Sequence, residues 1–177
     1  MLRNTVVIGG TKSDSHVVSI YLAELFMKER GYQVINRSCQ NTVCELMNID
    51  GLEDALLSIV VVNQNGHALD DLKDLKRFKT LLPSSVPVIL GGHYWLGCER
   101  TQSYIDRLRQ CGIDYMLDCI EDLEGVLENV SETFAAAARG SSPYQRATTP
   151  SRTGTAHSNR GRKFTGPGST DAALCSS

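Results

Sequence analysis

The chain has 177 residues, 41% of them apolar, enough for one cored domain with a remainder. Its formal net charge is only -2, but residues 139–177 hold six of the 18 basic side chains and one of the 20 acidic ones, leaving an acidic body and a basic tail. No apolar run approaches the roughly 20 residues of a membrane helix, no signal-peptide layout opens the sequence, and Cys39, Cys44, Cys98, Cys111, Cys119 and Cys175 form no Cys-x-x-Cys pair. The expectation is a cytoplasmic protein with reduced thiols and no membrane partner.

Thr5-Val6-Val7-Ile8 predicts a first strand over about residues 3–9. It leads through a small-residue loop into a helix over about 16–30, closed by Gly31. Gln33-Val34-Ile35-Asn36 is a second strand, and a helix over about 42–55 follows, with a break at Asp50-Gly51. Ser58-Ile59-Val60-Val61-Val62 is the continuous run of a strand buried on both faces. Leu69, Leu72, Leu75, Phe78 and Leu82 recur at helical spacing and predict a helix over about 68–82. Val86-Pro87-Val88-Ile89-Leu90 forms a fourth strand, ending at Gly91-Gly92. A helix over about 98–111, a strand over 114–117 and a helix over about 120–138 complete the pattern.

Five βα units imply an α/β fold with a doubly wound, five-stranded parallel sheet. The length favours a flavodoxin-like, Rossmann-like strand order, whose switch point lies between the first and third strands. The loops after strands one, three and four then meet at one edge, where such folds bind ligands. After residue 138 Ser, Thr, Gly, Pro and Arg dominate, so 1–138 reads as the domain and 139–177 as a disordered basic tail. Its scattered Arg residues lack interleaved aromatics, and no nucleic-acid partner is expected.

Those three loops carry the unusual residues. In Gly9-Gly10-Thr11-Lys12-Ser13-Asp14-Ser15-His16 an acid stands two residues before an imidazole. Either Asp14 caps the following helix, or it holds one ring nitrogen of His16 and leaves the other as a metal ligand. Asn63-Gln64-Asn65-Gly66-His67 is either a plain turn or a set of amides facing a ligand. Gly91-Gly92 permits close backbone approach, and His93-Tyr94-Trp95-Leu96 is either a wall for a large flat ligand or core packing of the loop.

Ser13-Asp14-Ser15-His16 behind a Gly-rich turn, with Gly91-Gly92 and Gly97 downstream, resembles the cobalamin-binding domain family. That family carries Asp-x-His-x-x-Gly, Ser-x-Leu and Gly-Gly motifs. Residues 1–138 look most like the small, cobalamin-binding subunits of glutamate (methylaspartate) mutases. Among these they are most similar to the stand-alone versions from actinobacterial secondary metabolism, which share an Asn-Gly-His such as Asn65-Gly66-His67. Three positions depart from the pattern. Ser19 replaces the signature's last Gly, Asp118-Cys119 replaces a Gly-Thr, and Val62-Asn63-Gln64 replaces Ser-x-Leu. The last change removes a hydroxyl that in the family meets the buried dimethylbenzimidazole; Asn63 or Gln64 could substitute.

The resemblance implies adenosylcobalamin bound base-off, with His16 as the axial cobalt ligand and Asp14 orienting its ring. The implied cofactor-binding set is Ser13, Asp14, Ser15, His16, Val17, Ser19, Val62, Asn63, Gln64, Gly91, Gly92, His93 and Tyr94. The nucleotide tail would lie between the sheet and the first and last helices. No catalytic residue is expected in this chain, which would be inactive without a large (β/α)₈-barrel subunit. The implied reaction is the rearrangement of L-glutamate to 3-methylaspartate. Two other classes remain: a corrinoid carrier or cobalamin sensor, and a flavodoxin-like scaffold with a decayed cofactor site. Carriers usually place a helical cap ahead of the motif, where this sequence opens on a strand. A phosphorylated receiver fits poorly, because Asn63 stands where its acceptor Asp would be.

Overall fold

The computed structural model describes residues 3–96 and 101–140. Gly97 and the expected disordered tail beyond residue 140 lie outside them.

The elements run β1 (Thr5–Gly10), α1 (Val17–Glu29), β2 (Gln33–Asn36), α2 (Val43–Met47), β3 (Leu56–Val62), α3 (Ala68–Asp71), α4 (Leu75–Lys79), β4 (Val88–Gly91), α5 (Gln102–Cys111), β5 (Tyr115–Leu117) and α6 (Asp122–Ala138). The strands form one five-stranded parallel sheet in the order β2-β1-β3-β4-β5, so the doubly wound architecture expected from the sequence is the one observed. β1 and β3 are buried along their whole length, as central strands covered on both faces must be.

Strand alternation divides the core into two layers. Val6, Ile8, Val60 and Val62 pack under Ile20 and Met27 of α1 and Leu123 and Leu127 of α6. Val7, Ile59, Val61 and Leu90 pack on the other face with Leu46 of α2, Leu72, Leu75 of α4 and Leu108 of α5.

Two helices are shorter than the apolar spacing predicts. A capping box between Thr42 and Glu45 starts α2, but Asn48 is extended and Gly51 takes φ 79°, so the chain turns through 48–55. The expected helix over 68–82 is two short ones. Leu75 donates its N–H to the carbonyl of Leu72, a tight 3₁₀-type turn that still leaves both leucines fully buried. Of the helix expected over 98–111, residues 98–100 lie outside the described residues, and α5 starts at Gln102, where the Thr101 hydroxyl accepts from the Tyr104 N–H.

The sheet register fixes where the site falls. Gly10 pairs with Val62, Val62 with Gly91, and Gly91 with Leu117, so four strand ends form one row across the carboxyl edge.

Candidate cofactor site

The loop from β1 to α1 turns immediately beyond that row. Thr11 is buried and donates its N–H to the Val62 carbonyl, and Asp14 donates its own N–H back to the Thr11 carbonyl. Asp14 is 2% exposed, and both of its oxygens are used. Oδ1 accepts from the backbone N–H of His16 at 3.0 Å and faces the His16 Nδ1 at 2.6 Å. Oδ2 accepts from the backbone N–H of Gln64 at 2.6 Å. A carboxylate so placed assigns the ring proton to Nδ1 of the neutral imidazole and leaves the Nε2 lone pair free. The His16 side chain is 60% exposed, and Nε2 has no partner among the described residues. His16, not Asp14, occupies the cap position of α1, and no side chain caps that helix. Of the two readings of Asp14, the helix cap is therefore absent and the ring contact is present.

A second set of bonds ties this loop to the one after β3. Ser13 donates both N–H and Oγ–H to Asp71 Oδ2, at 3.1 and 2.7 Å, and accepts from Asn65 Nδ2 at 2.8 Å. Asn63 is fully buried. Its Nδ2 donates to Thr11 Oγ1 at 2.7 Å and Asn65 Oδ1 at 2.9 Å, and its Oδ1 accepts from the Gly66 N–H at 3.0 Å. Asn63 thus turns inward and organises the loop; as a ligand contact it is corrected to a scaffold residue, because its amide is spent on the loop itself. Gln64 takes the outward role. Its Nε2 donates to Ser19 Oγ at 2.9 Å, and its Oε1 accepts from the His93 N–H at 3.1 Å.

The loop after β4 splits in the same way. Tyr94 is 1% exposed, lies edge-on to Trp95 at 4.8 Å, and donates its hydroxyl to Asp118 Oδ1 at 3.2 Å. It belongs to the core, so the ligand wall is corrected at this position to the alternative of core packing. His93 is exposed, with its ring 4.7 Å from that of Trp95. Gly92, at φ 103°, lies so close to the loop after β3 that a Cβ would stand 2.4 Å from the Asn63 carbonyl oxygen.

Between α1 and α6 the strand ends leave a slot of about 240 Å³. This far exceeds the roughly 10–15 Å³ that one water requires. Val60, Val62 and Leu117 form its floor, Leu22 and Ala23 one wall, and Ile120 and Leu123 the other. Ser19, Gln64, Gly91, Gly92, Asp118 and Cys119 supply the remaining lining. A Cβ added at Gly91 would meet no atom within 4 Å, so the missing side chain leaves room and relieves no clash. The Cys119 thiol donates to Asp122 Oδ2 at 2.9 Å, and that bond pushes its pKa up from 9.0, disfavouring the thiolate.

Of the residues the sequence singled out, Ser19, Val62, Gln64, Gly91 and Gly92 line the slot. Asp14 and His16 stand together at the edge, while Ser15 is exposed, Val17 is half-buried and Ser13 is bound to Asp71 and Asn65. The apolar lining from Leu22, Ala23, Ile120 and Leu123 was not anticipated, since on a helical pattern these read only as core positions. Asp118-Cys119 was visible as a departure after the fifth strand, and it lies on that lining.

This donor set suits a particular kind of ligand. Among the described residues no group of three His, Cys, Asp or Glu side chains gathers to hold a metal ion. His16 offers one carboxylate-oriented nitrogen at an open edge. It therefore fits a metal that brings its other ligands with it, and the neighbouring slot accommodates an apolar appendage of such a group. By these two observations the residues fit a cobalamin.

No protein-family model matches the chain. It is 29% identical over 131 residues to glutamate mutase sigma subunit 1 of Haloarcula marismortui, covering 74% of this chain and 86% of that protein. It is 26% identical over 126 residues to the glutamate mutase sigma subunit of Halobacterium salinarum, covering 71% and 84%. The fold is shared with a cobalamin-binding protein from Desulfitobacterium hafniense (TM-score 0.57, 15% identity, 72% of this chain and 59% of that one). It is also shared with the monomethylamine corrinoid protein of Methanosarcina barkeri (TM-score 0.58, 15% identity, 71% and 57%). The chain spans less than two thirds of the length of these two structures. Its fold is thus one that these cobalamin-binding proteins share. Its sequence resembles the small subunit of glutamate mutase.

Proposed function

We propose that this chain is the cobalamin-binding subunit of a glutamate-mutase-like isomerase. The observation that carries the reading is His16, held at Nδ1 by a buried carboxylate, with Nε2 open beside an apolar slot. Residues 1–138 would form the binding domain and 139–177 a solvated basic tail, in a soluble cytoplasmic protein. His16 would hold the cobalt, and the slot would take the cofactor's nucleotide tail. Adenosylcobalamin, when bound, supplies the radical chemistry for interconverting L-glutamate and 3-methylaspartate.

The chain's own part is to bind and orient. Asp14 fixes the ring of His16 and strengthens its free nitrogen as a metal donor. Ser13, Asn65 and Asp71 lock the loop in place, so the ligand nitrogen is presented with little conformational entropy left to lose. Gly91, Val62 and Leu117 keep the floor of the slot apolar.

A partner is part of the proposal. The ligand edge gathers no cluster of Arg or Lys among the described residues to hold a dicarboxylate. Beside His16, α1 leaves Val18, Tyr21, Leu22 and Leu25 each more than half exposed, and contiguous apolar surface of this kind marks interaction sites. Both features support a covering subunit, which we take to be a large (β/α)₈ barrel. The test is reconstitution with the large subunit of a glutamate mutase and adenosylcobalamin. Formation of 3-methylaspartate from L-glutamate, dependent on this chain and lost in His16→Ala, is expected. Corrinoid binding without turnover by any such pair would contradict the isomerase assignment.

A further inference from the structure

Gln64 connects three elements at once. Its backbone N–H reaches Asp14, its Nε2 reaches Ser19 on α1, and its Oε1 takes the N–H of His93 after β4. The two side-chain bonds run from a helix wall to the loop opposite, and Ser19, Gln64 and Gly92 all line the slot. The side chain therefore crosses that lining as a strut, while the backbone bond stays with the His16 loop. The surroundings are close: a Cβ on Gly92 would stand 2.4 Å from the Asn63 carbonyl oxygen and 3.1 Å from Gln64 Nε2.

We propose that the Gln64 amide is a latch on the slot, and that it makes the protein discriminate corrinoids by their lower nucleotide. This rests on the cobalamin reading above. With the amide in place the slot holds about 240 Å³, below the roughly 300–1,000 Å³ of sites that bury a ligand. A tail therefore seats fully only after Ser19 and His93 release the amide. The binding-competent state is a fraction of the whole, and apparent affinity falls by that fraction. A corrinoid with no tail needs only the His16 edge, whose tie to Gln64 is through the backbone and is independent of the side chain. The latch therefore acts on tailed corrinoids and leaves tailless ones alone.

The experiment compares hydroxocobalamin with diaquacobinamide, which lacks the nucleotide, by stopped-flow absorbance and equilibrium titration on the full chain. The variants are Gln64→Leu, Ser19→Ala and the double variant. Losing the two side-chain bonds in Gln64→Leu should raise the association rate and affinity for hydroxocobalamin about tenfold, the factor expected for a pair of neutral hydrogen bonds. Diaquacobinamide binding should stay within about twofold. Ser19→Ala, a helix-favouring change that keeps the fold, should give a smaller gain of about threefold. The double variant should add nothing to Gln64→Leu, because both act on one contact.

Equal changes for the two corrinoids, no change for either, or slower binding of hydroxocobalamin would overturn the latch while leaving the cofactor reading intact. If Gln64→Leu fails to fold, Ser19→Ala carries the same comparison. Failure of the wild-type chain to bind either corrinoid would overturn the cofactor reading itself, and the latch with it.

Discussion

Around Asp14 nearly every polar atom is committed: one carboxylate serves the His16 ring, the His16 backbone and the Gln64 backbone, and Ser13 is bound twice to Asp71. At the same sheet edge, Val60, Val62 and Leu117 floor an apolar slot of about 240 Å³. The contrast separates two tasks. A ligand atom must be aimed, which takes a rigid hydrogen-bonded frame; an appended group must be accommodated, which takes volume and little else. The adjacent glycines Gly91 and Gly92 show the division at its sharpest, since only the second is needed by the fold.

Substituting those glycines tests the contrast with the largest effect. Gly92→Ala places a Cβ against the Asn63 carbonyl at a backbone φ of 103°. It should destabilise the protein by about 3 kcal/mol, combining left-handed strain with a backbone clash, as read from denaturant unfolding. Gly91→Val should leave the unfolding midpoint nearly unchanged and weaken binding of a tailed corrinoid, because its side chain grows into the slot.

Asp14→Ala comes next. It leaves the N–H groups of His16 and Gln64 without their acceptor, and the second of these belongs to a half-buried loop. A loss of about 2 kcal/mol in chemical denaturation is expected, with corrinoid affinity falling as well. His16→Ala should move stability by no more than about 0.5 kcal/mol, since the ring is mostly exposed, with far-UV circular dichroism unchanged and the histidine-ligated absorbance lost. A large drop in stability for His16→Ala would erase the distinction between frame and ligand.

The smallest effect lies at the foot of α1. The Asn36 amide, then Lys28, holds the Glu24 carboxyl below its ordinary 4.5. A depressed carboxyl contributes stability above the unfolded value that is lost as pH falls through the folded one. Glu24→Gln should flatten the acid dependence of stability slightly below pH 4.5, without affecting the ligand edge. An unchanged acid profile in that variant would show the bonds to be worth nothing in solution.

The strands and their order were legible because β-branched runs at βα spacing leave few alternatives. The edge residues were legible because they interrupt those runs with polar and small side chains. Helix lengths were not. Leu72 and Leu75 keep helical spacing across a turn that breaks the helix, and burial is satisfied either way. Nor could the sequence say which polar residue of the β3 loop faces outward. Asn63 and Gln64 are chemically alike, and only the register of β1 against β3, which sets Asn63 beside Thr11, turns one in and the other out. Tyr94 was equally ambiguous until Asp118 supplied a partner for its buried hydroxyl.

The most direct test of the account is electron paramagnetic resonance of the Co(II) cobalamin complex. The protein should carry histidine labelled with ¹⁵N. Three-line nitrogen superhyperfine splitting is expected in the unlabelled complex and two-line splitting in the labelled one, with the two-line pattern lost in His16→Ala. Three-line splitting that persists after labelling would place the cofactor's own base on cobalt and contradict the central role given to His16.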